Sequence, residues 1–344
     1  MRDGTEAVAR DRVAESRAGF LLRARELGIL AALAAVVAAT AVANPRFLSA
    51  QSIRDLLLGA AIMLVLAVGQ TIVIITRNID LSVGSVLGLS AFAVGSLLRA
   101  APGTPVVGAL LVGLAFGAVC GLVNGSLVRF GRVPALVVTL GTLYVYRGIG
   151  YFWAGGQQIN ADKLPPAFLG FGTATVLGVP VLVLIGLAVL ACAGMVLRDY
   201  RCGRELYAMG SSPEAARLAG IPVGRRTLAA FVVSGALAGL AGVLFAARFG
   251  TVDASAGTGY ELNVVAAVVV GGVAVFGGSG TVWGAALGAL LLTTIGGALP
   301  VLGVSQFWQQ AVVGALILAA IATDRMVAAR IASSLRRRES HAIG

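Results

Sequence analysis

The chain has 344 residues, of which 58% are hydrophobic and only 12% charged, and its mean hydropathy is +0.94. A soluble domain carries about 25% charged residues, so the composition points to a polytopic membrane protein, with room for roughly ten spans and none for a separate soluble domain. The net charge of +11 sits in loops flanking apolar runs, which fits membrane orientation better than nucleic-acid binding.

In chain order, residues 1–26 form a cytoplasmic arm with charges of both signs. Apolar runs read as spans at 27–43, 56–76, 81–98, 105–128, 134–154, 176–197, 228–247, 262–278, 282–302 and 307–323, followed by a tail at 324–344. The first run has a basic leader and Ala41-Val42-Ala43, which resembles a cleavage site. The leader is long and the run long enough to span, so it is read as an uncleaved first helix. The run 56–76 reaches about 31 Å, matching the roughly 30 Å hydrocarbon core. The shortest run, 262–278, is a span or a broken, re-entrant element. With the N-terminus inside, inside segments carry 20 Arg and Lys residues and outside loops carry 5. That asymmetry places both termini in the cytoplasm and makes the number of spans even. Gly235, Gly239 and Gly242 recur within one span and suit close helix packing or a hinge. Cys120, Cys192 and Cys202 share no metal-ligand spacing, and His341 lies in the tail, so no metal site, catalytic centre or disulfide framework is expected.

The longest inside loop is 198–227. Within it, Ser212-Pro213-Glu214-Ala215-Ala216-Arg217-Leu218-Ala219-Gly220 reads as a short helix marked at both ends. Ser212 caps the free N–H groups, Pro213 suits the first turn, Glu214 favours the positive end of the dipole, and Gly220 takes the left-handed stop. Alone, the segment is an ordinary interfacial turn or a stiff element that a partner can push. The Glu214-Ala215-Ala216 run followed by Gly220 resembles the coupling helix of ABC importer permeases. Three further stretches resemble the sugar branch of that superfamily, which includes ribose, xylose, rhamnose and autoinducer-2 permeases. They are Asn78-Ile79-Asp80-Leu81-Ser82-Val83-Gly84-Ser85; Val133-Pro134 with Thr139-Leu140-Gly141-Thr142 and Tyr146-Arg147-Gly148; and Gly259-Tyr260-Glu261-Leu262 with Gly271-Gly272 and Gly277-Gly278-Ser279-Gly280.

The resemblance covers about residues 50–325 and implies an all-α membrane protein of about ten transmembrane helices, similar to type II-like ABC importer permeases. It further implies a permease of the bacterial inner membrane that moves a sugar-like solute by alternating access. Its partners would be cytoplasmic ATPase subunits, an extracytoplasmic sugar-binding protein and a second permease copy or paralogue. ATP and Mg would then bind on the ATPase subunits and no cofactor on this chain. The residues agree on one point: Lys163 is the only lysine and lies in Ala161-Asp162-Lys163-Leu164, so the chain lacks the Gly-Lys-Ser/Thr of a P-loop. The loop residues Ser212, Pro213, Glu214, Ala215, Ala216, Arg217 and Gly220 would contact the ATPase.

Polar residues within spans are candidates for the translocation path. Tyr144, Arg147 and Tyr151 recur at i, i+3 and i+7, where rings can stack on a sugar and Arg can donate to its hydroxyls; alternatively Arg147 snorkels to the outer interface. Asp80, beside Asn78 and Ser82, lines the path, caps the next helix or pairs with Arg77. Gln70, Asn124, Thr139 and Asn263 line the path or bond between helices. Glycines across 271–284 mark a second break, and loops 155–175 and 248–261 dock a binding protein or face water. The competing expectation is an ion-coupled secondary transporter, which needs ionisable groups deep in the bundle.

Overall fold

The computed structural model describes residues 26–305, 307–320 and 322, so the expected arm and tail lie outside the described residues. The protein is all-α and polytopic. The elements are α1 (Glu26–Ala43), α2 (Ala50–Ile75), α3 (Val83–Ala100), α4 (Val106–Gly131), α5 (Ala135–Ala154), α6 (Pro166–Thr173), β1 (Thr175–Val176) and β2 (Val179–Pro180). They continue with α7 (Val181–Asp199), α8 (Arg201–Ser211), α9 (Pro213–Leu218), α10 (Val223–Phe249), α11 (Tyr260–Val270), α12 (Val282–Val301) and α13 (Trp308–Ala320). Among the described residues, 8 helices are long and apolar enough to cross a membrane: α1 to α5, α7, α10 and α12.

One expected span falls short. Helix α11 has 11 residues and reaches about 16 Å, half the hydrocarbon thickness. Its chain then leaves the helix at Gly271, and Gly272, Gly277, Gly278 and Gly280 adopt positive φ before α12 begins. The run 262–278 is therefore broken, because those glycines take a backbone that L side chains disfavour. Of the run 307–323, the described residues Trp308–Ala320 form α13. The run 176–197 opens instead with the β1–β2 hairpin, and its helix starts only after Pro180. Helix α2 begins earlier than expected, where Ser49 caps it by accepting from Ser52 N. Helices α6 and α8 were not anticipated.

Helix α2 is apolar on every side, and residues Ala60 to Ile75 are all buried, which makes it the central post of the bundle. Helix α10 packs along α2, α3 and α4. Its seam with α4 is built from glycines: a β-carbon on Gly117 would overlap Gly235 O and stand 2.7 Å from Gly239 N. The reciprocal β-carbon on Gly235 would overlap Gly117 O. The two backbones touch, which in lipid replaces the hydrophobic drive with dispersion contacts. Gly242 similarly seats α10 against Leu87 and Ala91 of α3. At the end of the bundle away from α9, Arg248 donates to Asp55 O (3.0 Å), Arg54 donates to Thr173 O, and Ile159 and Val252 form a two-way bridge (2.9 Å each).

Candidate polar centre and coupling surface

The chain breaks between Ile75 and Val83, and the polar side chains at its far end are buried: Asp80 is 1% and Ser82 0% exposed. Non-helical backbone at such depth survives only with its polar groups satisfied. Asp80 Oδ1 accepts from Ser82 N (2.9 Å) and Ser82 Oγ (2.7 Å), and Oδ2 accepts from Ser234 Oγ on α10 (3.3 Å). The first bond closes an Asx turn that leads into α3, whose own N-cap, Ser82, makes no side-chain cap bond. With its amide oriented to suit both neighbours, Gln70 of α2 donates to Asp80 O (3.1 Å) and accepts from Asp80 N (3.2 Å). Asn124 of α4 donates to Ser82 Oγ (2.8 Å), and Thr139 of α5 donates to Ile79 O (3.1 Å). The Tyr146 hydroxyl reaches Cys120 O (2.9 Å) and Asn124 Oδ1 (3.3 Å). Four helices thus hold one break. Asp80, Ser82, Asn124 and Thr139 are brought together; Asn263, half-buried on α11, makes none of these bonds.

Of the alternatives for Asp80, the structure shows neither a cap on α3 nor a pair with Arg77, but an Asx turn ahead of the helix. Arg77 turns the other way, and its guanidinium donates to Gly210 O and to Ser211 O (2.7 Å) at the end of α8. Sequence reasoning missed Ser234 and Tyr146 as members of the centre. The spacing of Thr139, Thr142 and Tyr146 at i, i+3 and i+7 was a usable signal for Tyr146, since all three are buried. Ser234 lies 154 residues from Asp80 and has no local signal.

The second group of residues lies at one end of the bundle. Helix α9 has 6 residues and both expected caps. Ser212 Oγ accepts from Ala215 N (3.3 Å), and Gly220 stops the helix at φ 79, with Gly220 N donating to Arg217 O (3.0 Å). Ala216 is its buried residue; Ser212, Glu214, Ala215, Arg217 and Gly220 are exposed and Pro213 is half-buried. Leu218 is 91% exposed, an apolar knob that the sequence analysis did not single out. Helix α8 is amphipathic and anchors this surface. Its buried Glu205 accepts from Arg226 of α10 (2.6 Å) and Arg201 (2.8 Å). Hydrogen bonding from Arg226, with Arg201 in support, holds the Glu205 carboxyl below its usual range.

Residues 52–321 match the family described as the permease component of branched-chain amino acid transport systems. The chain belongs to this permease family. It is 38% identical over 304 residues to the "Autoinducer 2 import system permease protein LsrC" of Enterobacter sp. (strain 638), covering 88% of both chains. It is 35% identical over 320 residues to the protein of that name in Escherichia coli (strain K12 / DH10B), covering 93% of this chain and 92% of the relative. The Klebsiella pneumoniae protein of that name is 38% identical over 304 residues, covering 88% and 87%. No solved structure matches the chain. The protein is a transport component rather than an enzyme, and its relatives lie on the sugar-like side of the family, as the Asn78–Ser85 stretch suggested.

Within this permease, the three candidates on α5 part company. Tyr144 and Tyr151 are 70% and 51% exposed on its outer face, where Gly141 and Gly148 also open onto free space. Arg147 points to the loop before α11 and donates to Ala256 O (2.6 Å) and Ala254 O (3.4 Å). Loops 155–175 and 248–261, expected to dock a binding protein or face water, are joined by the Ile159–Val252 bridge. A cleft of about 380 Å³ between α2, α7 and α12 is lined almost wholly by apolar side chains such as Leu64, Leu190 and Trp283, so it offers no set of donors to orient a sugar.

Proposed function

We propose that this permease is the membrane subunit of an ATP-driven importer of a sugar-like solute, with autoinducer-2 as the first compound to test. The observation that carries the reading is α9: a six-residue helix capped at both ends, anchored through Ala216 and otherwise open to a partner. A stiff element of that kind transmits a push that a flexible loop absorbs. The names of the relatives support the solute class.

The arginine asymmetry supports an orientation with the α9 end and both termini in the cytoplasm. There α9 meets an ATPase subunit that binds ATP and Mg; an extracytoplasmic binding protein docks at the opposite end. The outer face of α5 supports a second permease copy or paralogue. Two tyrosine hydroxyls facing hydrocarbon are costly, whereas facing a partner across an aqueous path they stack on the solute. In that arrangement Tyr144 and Tyr151 contact the solute, and Arg147 positions the loop beside them. Asp80, Ser82, Asn124 and Thr139 hold the wall of the path rather than its lumen, since all four are buried in protein.

Affinity purification of the tagged chain from native membranes, followed by mass spectrometry, tests this reading. A co-purifying P-loop ATPase supports it. A chain that purifies alone and still drives uptake from an ion gradient overturns it.

A further inference from the structure

Two breaks in the helices and the coupling surface meet at one point. Ile75 O, the last carbonyl of α2, accepts from Gly278 N in the 271–281 break (2.9 Å). Arg77, two residues on, donates to Gly210 O and to Ser211 O (2.7 Å) at the C-terminus of α8. From the same helix, Tyr207 donates to Gly280 O (2.8 Å). The three segments are in backbone contact. A β-carbon on Gly210 would overlap Ile75 O and stand 2.6 Å from Gly278 N, and one on Gly278 would stand 2.7 Å from Ser211 N.

The chemistry of this junction favours stiffness. The final carbonyls of a helix lack intrahelical donors and carry its negative dipole end, so a guanidinium there makes charge-assisted bonds. Arg77 keeps that position with φ 64, a left-handed backbone uncommon for a residue other than glycine. Ser211 leads directly into Ser212, the cap of α9. On the other side, Arg77 stands three residues before Asp80, whose bonds reach α2 and α10 and whose Asx turn leads into α3. Gly280 precedes Thr281, whose Oγ1 caps α12 by accepting from Gly284 N (3.0 Å).

We propose that Arg77 and Tyr207 are positioning residues that carry a movement of α9 into the membrane by two routes. Arg77 passes it to the α2–α3 break and its Asp80 centre, and Tyr207 passes it to the α11–α12 break. The inference rests on α9 being the ATPase contact. It adds a role that neither residue's type nor its position in the loop announces, and it gives the two breaks a common function: both are hinges driven from one helix end.

The test uses the whole transporter, with its ATPase and binding protein, reconstituted in proteoliposomes. Basal ATP hydrolysis, its increase on adding liganded binding protein, and uptake per ATP are measured for wild type, R77Q, R77K and Y207F. Arg77 and Ser211 are exposed and Gly210 is buried, so R77Q removes the charge while its amide can still donate to one of the two carbonyls. R77Q is expected to assemble with the ATPase and keep basal hydrolysis, while its stimulated increment falls about fivefold or more. R77K restores part of that increment by retaining a cation, and Y207F lowers it less than R77Q. An unchanged increment in both R77Q and Y207F overturns the proposal. So does an equal loss of basal and stimulated hydrolysis, which marks a purely structural role. Failure of the wild-type chain to bind any ATPase removes the importer reading itself, an outcome visible before any variant is compared.

Discussion

The two breaks solve one problem with different chemistry. Between α2 and α3 the backbone is met by the side chains of Gln70, Thr139 and the break's own Asp80, and Asn124 and Ser234 hold the Ser82 and Asp80 side chains in turn, so that four helices contribute. Between α11 and α12 it is satisfied mainly by backbone, with Gly278 N bound to Ile75 O and Ala274 N bound to Ser279 O (3.1 Å), the Tyr207 hydroxyl on Gly280 O (2.8 Å), and glycines supplying the φ values. The first break is therefore specified by polar identity and the second by the absence of side chains. Each should be sensitive to substitutions that the other tolerates.

The largest effect is expected in the glycine break. Gly280 has φ 122, and a β-carbon there would stand 2.5 Å from Val273 Cα. Gly280→Val adds backbone strain to overpacking and should cost about 3 kcal/mol or more, read as a lower unfolding temperature of the detergent-purified chain. The polar break should give the next largest effect. Asp80→Ala orphans Ser82 N–H and the Ser234 hydroxyl and should cost about 2–4 kcal/mol by the same assay. Asp80→Asn keeps the Oδ1 acceptor and should cost about 1 kcal/mol. Equal losses for the two Asp80 variants would show that the charge, not the acceptor geometry, holds this break.

Outside both breaks, Leu218→Asp should leave stability unchanged because the side chain is 91% exposed. It should nevertheless weaken ATPase binding about tenfold, measurable by titrating the ATPase onto the reconstituted chain. The smallest effect concerns Glu205. Its folded-state pKa is lowered, so its contribution to stability is complete above the ordinary carboxylate range. That contribution is lost as pH falls through the lowered value. Glu205→Gln should accordingly flatten the acid side of the stability profile while leaving the two breaks unaltered, a difference read from unfolding temperatures across pH 3 to about 7.

The contrast also explains what the sequence discloses. The spans of α2 to α5, α7, α10 and α12 were legible because an apolar run of bilayer length has few other uses. The caps of α9 were legible because Ser212, Pro213 and Gly220 act on their own neighbours. Both breaks were visible too, one through Asp80 and one through clustered glycines. Their partners were not, since Ser234 lies 154 residues from Asp80 and Gly210 lies 133 residues from Arg77. Helix α8 was hidden for another reason: it is amphipathic and short among helices that are apolar throughout, so a search tuned to apolar runs passes over it. The i, i+3, i+7 spacing on α5 correctly set Tyr144 and Tyr151 on one side, but only the loop before α11 shows where Arg147 turns.

The most direct measurement is ATP hydrolysis and autoinducer-2 accumulation, followed together, in proteoliposomes containing this chain with its co-purifying ATPase. In an ATP-driven importer, adding liganded binding protein raises hydrolysis and the solute accumulates in the compartment that carries α9's partner only while ATP is present there. Accumulation that ignores ATP and follows a proton or sodium gradient would contradict it.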